Sequence, residues 1–228
     1  MQFDQNWLVN TLLMLIPLWL SLSVHECAHA WMAWRLGDDT AARLGRLTLN
    51  PLAHIDPVGT LLLPLLGIPF GWAKPVPVQP QRFRPGVSMR TGMMLVAIAG
   101  PIANLILATI CIVCFATLAR FYPAAIALGR ETERGAGVGR LLEMMIFLNV
   151  LLAAFNALPI PPLDGSRVAD ALMPRAFRPA WEGLYRLGPM ALLAVIMLPR
   201  LVGVNLFYWP MQGTSFLLYQ AIKLLYLI

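Results

Sequence analysis

Residues 7–24 carry no charge, residues 30–34 are again apolar, and between them stand His25, Glu26 and His29. Few folds tolerate such a segment. It is long enough to cross a bilayer, and hydrocarbon satisfies no backbone N–H or C=O, so it is expected to cross as a helix. The three ionisable residues form the pattern H-E-x-x-H. On a helix the two histidines lie on one face, about one turn apart. Two neutral imidazoles so placed can serve as two ligands of a zinc ion. Glu26, beside the first histidine, can take a proton from an attacking water. The plainer reading is a helix whose histidines are satisfied by hydrogen bonds to neighbouring helices. Ionisable side chains at membrane depth are costly and tend to mark function, and three so close together favour the metal reading.

Composition sets the class. Of the 228 residues, 59% are hydrophobic and 12% charged, about half the charged fraction of a soluble domain. The chain reads as an all-α polytopic membrane protein forming a single integral-membrane domain over 1–228. The catalytic core is placed at about 7–170 and C-terminal spans at about 184–228. The first residues, Met1-Gln2-Phe3-Asp4-Gln5, lack the basic start of a signal peptide, so the first apolar segment is expected to remain as a helix. Cys27, Cys111 and Cys114 lie in apolar segments and read as small buried residues. The net charge of +6 calls for no nucleic-acid partner, because basic loop residues orient a chain in the bilayer.

About five spans are expected: 7–34, 92–119, 141–158, a weaker one at 184–198 that carries Arg186, and 201–222, interrupted by Pro210 and Gly213. Between the first two lies a mixed stretch, 36–91, with Arg43, Arg46, Lys74, Arg82, Arg84 and Arg90. The next loop, 120–140, offsets Arg120, Arg130, Arg134 and Arg140 with Glu131 and Glu133. The balance places the first loop in the cytoplasm, and with it the second half of the first helix. Within that loop, residues 42–49 alternate as a strand or hairpin arm would. Residues 57–73 are apolar but broken by prolines and glycines, as in a re-entrant or interfacial segment. Residues 74–78, with Pro75 and Pro77, read as an edge strand. The expectation is a small β-strand or re-entrant element between the first and second spans. An edge at 74–78 could pair with an extended substrate or simply pad the membrane surface.

Two histidines do not complete a catalytic zinc site, which usually has three protein ligands and one open position. His54, Asp56 and Asp164 are the candidates. Asp164 follows a proline-broken run at the end of the third span, where a carboxylate at membrane depth needs a partner or a metal. It could instead cap the next helix. His54 and Asp56 could fold over the metal as a further donor or proton relay, but a local loop hydrogen-bond pair is preferred, since turn residues so often bond locally. Gly100-Pro101 is expected to loosen the second span. Asn104 needs a hydrogen-bond partner at that depth, and a structural role holding the first two spans together is preferred.

Three motifs in order resemble the site-2 protease family of intramembrane zinc metalloproteases: H-E-x-x-H at His25, Glu26 and His29; Gly100-Pro101-Ile102-Ala103-Asn104; and N-x-x-P-x-x-x-L-D-G at 156–165. The likeness covers about residues 18–170 and is closest to a compact bacterial form without a PDZ domain. It implies Asp164 as the third ligand of one zinc ion per chain, beside His25 and His29. It also implies Glu26 as the catalytic base and Asn156 near the metal, where it could stabilise an oxyanion. The implied activity is cleavage of peptide bonds within transmembrane segments of protein substrates, in the inner (plasma) membrane, with the active site toward the cytoplasm. Strand addition near 74–78 is one way to engage the substrate, and a homo-oligomer is left open. The competing class is a non-proteolytic zinc-binding membrane protein or transporter, which would need further ligands. Spans two, four and five supply no His, Asp or Glu.

Overall fold

The computed structural model describes residues 5–66, 71–124 and 137–188, with isolated positions between 190 and 223. Three long helices organise it. Helix α1 is Gln5–Arg35, 31 residues, or about 46 Å at 1.5 Å per residue. Helix α2 is Met89–Phe121 and α3 is Val138–Asn156. Both α2 and α3 have the length and apolarity to cross a bilayer. The first three expected spans therefore appear as helices with ends within a few residues of those expected. Two short helices follow, α4 at Asp164–Leu172 and α5 at Arg178–Leu187.

Helix α2 is the centre, packed against α1, α3 and α4. Its sequence shows why. The buried positions include Gly92, Ala97, Ala99, Gly100, Ala108 and Ala116, small residues that let helix backbones approach closely where lipid gives no hydrophobic drive to associate. Its other face exposes Leu105, Ile106, Ile110 and Val113, as suits contact with lipid. Cys111 and Phe115 of α2 pack on Met145 and Ile146 of α3. Leu18 and Leu22 of α1 meet Leu148 of α3 and Ala73 of the long loop. Cys111 is buried as expected, but Cys114 is exposed, because it lies on the lipid-side face. The start of α2 is capped by Ser88, which accepts from the Thr91 N–H at 3.0 Å, satisfying one of the free donors of a helix end.

The expected β element is not present: no strand occurs among the described residues. At 42–49 the alternation is overridden locally. The buried Asp38 carboxylate accepts from the Thr40 N–H and starts a helical turn, Thr40–Arg43. Gly45 then takes φ +69°, outside the extended region. Residues 74–78 are extended but build no ladder, because Pro75 and Pro77 have no N–H and that of Val76 is bonded to a side chain. The apolar stretch from residue 57 begins as a π-helical turn, Pro57–Leu62, and continues as Leu63–Leu65. Trp19 Nε1 donates to Thr60 O at 3.0 Å and ties this segment to α1.

Helix α2 runs unbroken through Gly100-Pro101, although Pro101 has no N–H to give to the carbonyl of Ala97. One further expectation changes. Residues 184–187, expected to open the fourth span, instead end the polar helix α5, which stops at Gly188 with φ +49°. The apolar remainder of that span, the fifth span at 201–222 and Arg130, Glu131, Glu133 and Arg134 lie outside the continuously described residues.

Candidate metal centre

The site forms where α1, α2 and the start of α4 meet. His25 and His29 are both buried, and their ring planes are nearly perpendicular, at 89°. What each ring nitrogen can do follows from its partner. His29 Nδ1 lies 2.7 Å from the backbone oxygen of Val96. A carbonyl only accepts, so Nδ1 carries a proton, and in the neutral ring, the form that binds metal, Nε2 presents a lone pair. His25 Nδ1 lies 2.6 Å from Asn104 Oδ1. The orientation of that amide is set by its other end, since Asn104 Nδ2 faces Ser21 O at 3.2 Å and must donate to it. His25 therefore also carries its proton on Nδ1 and its lone pair on Nε2.

The two Nε2 atoms are 3.0 Å apart. Asp164 Oδ2 lies 3.1 Å from one and 3.3 Å from the other. With both rings neutral and protonated at Nδ1, no proton is left for these three contacts to share. Asp164 Oδ2 is indeed buried with no hydrogen-bond partner. Three electron-pair donors that converge unpaired in a buried place repel one another, and a cation resolves the conflict. Their ligand atoms all lie within 4.8 Å of one another, and an N,N,O set is one that zinc accepts. The residues fit the metal.

The sequence folds to this arrangement for identifiable reasons. The i, i+4 spacing sets the histidines. After α3 ends, the chain turns through a cis Pro161–Pro162 bond and starts α4 with Asp164 as its first residue. Asp164 is thus not a cap, the cap position being Leu163. At Gly165 a Cβ would stand 2.3 Å from Ala157 O, so only glycine allows the turn to close. Arg90, near the start of α2, donates to the carbonyls of Asp170 and Met173 and holds the far end of α4.

Sequence reading missed one role of Gly100. A Cβ there would stand 2.5 Å from His29 Nε2 and 2.6 Å from His25 Cε1. The residue is glycine because α2 passes directly over the two rings.

Comparison with known proteins agrees with this geometry. A model of peptidase family M50 matches residues 86–197. A Bacillus subtilis protein carrying the name zinc metalloprotease YwhC is 39% identical over 204 residues, 89% of this chain and 86% of that one. The chain belongs to peptidase family M50. A Mycobacterium tuberculosis relative carrying the name zinc metalloprotease Rip2 is 32% identical over 207 residues, 89% of this chain and 75% of its own. No solved structure matches.

The remaining candidate residues of this M50 peptidase lie in different settings. Glu26 Oε2 accepts from the Val76 N–H at 3.0 Å, so the extended stretch 74–78 lies against the H-E-x-x-H helix. His54 is buried and joined through Nε2 to Thr48 O at 2.9 Å. Asp56 caps the π-helical turn, accepting from the N–H groups of Val58 and Gly59 at 3.0 and 2.8 Å. Each bonds within the loop, though not to the other, and neither is in the three-residue cluster. Asn104 joins α1 to α2 as expected, and does so through the candidate ligand itself. Asn156, at the end of α3, donates to Leu152 O at 3.0 Å.

Proposed function

We propose that this peptidase works at one zinc ion held by His25, His29 and Asp164, with Glu26 as general base, and that it cuts peptide bonds inside transmembrane segments of protein substrates. The observation that carries the proposal is the unpaired Asp164 oxygen facing two histidine lone pairs beside Glu26. Zinc, when bound, supplies a Lewis acid that lowers the pKa of water and polarises a carbonyl. Glu26 takes a proton from the attacking water and passes it to the leaving amine. The Val76 N–H holds one carboxylate oxygen and leaves the other for that transfer. Asn156 uses one amide hydrogen on Leu152 O and offers the second to the developing oxyanion. The substrate helix must unwind first, since its carbonyls are engaged in its own hydrogen bonds. The extended stretch 74–78 is the element beside which an unwound substrate segment would lie.

We further propose about five spans in the inner membrane, formed by α1, α2, α3 and the apolar sequence that follows α5. The site then faces the cytoplasm. The metal-site half of α1, the start of α2 and the start of α4 lie at one end of the helices, and the basic residues of 36–91 lie at that same end. Arg84, which is exposed, is a suitable reporter, whereas Arg46 is buried. In a background without the native cysteines, Arg84→Cys should resist an impermeant thiol reagent in intact cells and react after permeabilisation. Reaction in intact cells would reverse the orientation. The activity itself is tested by comparing membrane fractions of wild type and Glu26→Gln for a transmembrane fragment that the variant no longer produces. An unchanged fragment set would count against proteolysis at this site.

A further inference from the structure

The geometry points to Asn149 as a positioning residue that acts through Asn104 to keep the His25 lone pair directed at the metal. It rests on the metal reading above. Three fully buried polar residues, Ser21 of α1, Asn104 of α2 and Asn149 of α3, meet in the centre of the helix packing. Asn149 Nδ2 donates to the backbone oxygen of Met145 at 2.7 Å and to Ser21 Oγ at 2.8 Å. The Met145 carbonyl can only accept, so Asn149 must turn its own oxygen the other way. That oxygen lies 2.6 Å from Asn104 Nδ2. Asn104 Nδ2 also reaches Ser21 O, but at 3.2 Å, a longer contact. Asn149 thus provides the closer of the two acceptors that hold the Asn104 amide in one orientation.

The orientation has a chemical consequence at His25. With Asn104 as found, its oxygen accepts from Nδ1–H and Nε2 is free to bind metal. With the amide turned over, an NH2 would face Nδ1, the imidazole would shift its proton to Nε2, and that proton would occupy the metal-binding position. His29 needs no such device, because its Nδ1 partner is a backbone carbonyl that cannot turn over. The relay therefore serves one histidine of the two. Groups bonded to the far nitrogen of a ligand histidine typically alter metal affinity tenfold to a hundredfold.

Interhelical hydrogen bonding alone would also place polar residues here, so the test must separate the two roles. Zinc affinity is measured by chelator competition on detergent-purified, folded protein for wild type, Asn149→Leu, Asn104→Ala and the double variant. Alanine at 104 leaves no amide for Asn149 to orient. We expect Asn149→Leu to weaken zinc binding roughly tenfold in the wild-type background and to have no further effect in the Asn104→Ala background. Equal losses in both backgrounds, or none in either, would overturn the inference. Ring 15N shifts of the metal-free protein give an independent readout, and with three histidines in the chain they are assignable by single substitutions. Asn149→Leu should move His25 toward the Nε2–H tautomer and leave His29 unmoved. Unmoved His25 signals would overturn the inference. A wild-type chain that bound no zinc would overturn the metal reading, and the ring signals would still decide the role of Asn149.

Discussion

The site has two walls of different construction. On one side His25 and His29 are held by groups on α2, the Val96 carbonyl and the Asn104 amide, in a fully buried setting. On the other, Glu26 is held by one backbone N–H from an extended loop segment. That loop exposes Leu44, Leu49 and Leu52 among its apolar side chains. Its anchors are Arg46, which bonds the carbonyls of Lys74 and Pro75, and the Lys74 N–H, which donates to His54 O at 2.9 Å. The helical wall presets electron pairs for a metal. The loop wall positions the carboxylate of Glu26, the proton acceptor of the proposed reaction. Metal binding and proton transfer should therefore be separable by substitution.

The sharpest separation is Glu26→Gln. Glutamine nearly keeps the shape and still accepts from Val76, but it cannot take the proton. Peptide cleavage should fall roughly a hundred- to ten-thousandfold, with zinc content unchanged by elemental analysis. A variant that cleaved at the wild-type rate would place the base elsewhere.

Asp164→Asn tests the helical wall directly. It removes the charged member of the donor set while leaving the volume. Zinc retention after dialysis against a chelator should fall at least tenfold, more than for loss of a group that only supports a ligand. Full occupancy would remove Asp164 from the site.

Gly100→Ala disturbs the same wall by shape alone. The new Cβ would fall within 2.6 Å of both rings, and overpacking of this kind typically destabilises by about 1–3 kcal/mol. The expected signature is weaker zinc binding together with a lower unfolding temperature in detergent. Unchanged zinc affinity would mean that α2 can shift without moving the rings.

The loop wall gives the smallest effect. Asp56→Ala removes the cap on the π-helical turn, a loss of about 1 kcal/mol, and should lower cleavage severalfold while zinc affinity stays at the wild-type value. Loss of zinc in this variant would show that the two walls are coupled.

Much of this was legible from residue order because it is local. Four positions of α-helix put His25 and His29 on one face, and a charge-free stretch of membrane length can only be a helix there. The break at 159–162 placed Asp164 just beyond the third helix. Residues 42–49 and 74–78 were misread as strands because alternation reports a pattern of side chains. It does not report whether Val76 has a neighbouring strand or a glutamate to bond. The tertiary structure alone decided which nitrogen of each histidine carries the proton, because that depends on Val96 and Asn104, more than sixty positions away in the chain. It also decided why residue 100 is glycine and why Asn149 faces Asn104. Spacing within one helix is set by backbone geometry, whereas contacts between helices depend on how separate surfaces dock.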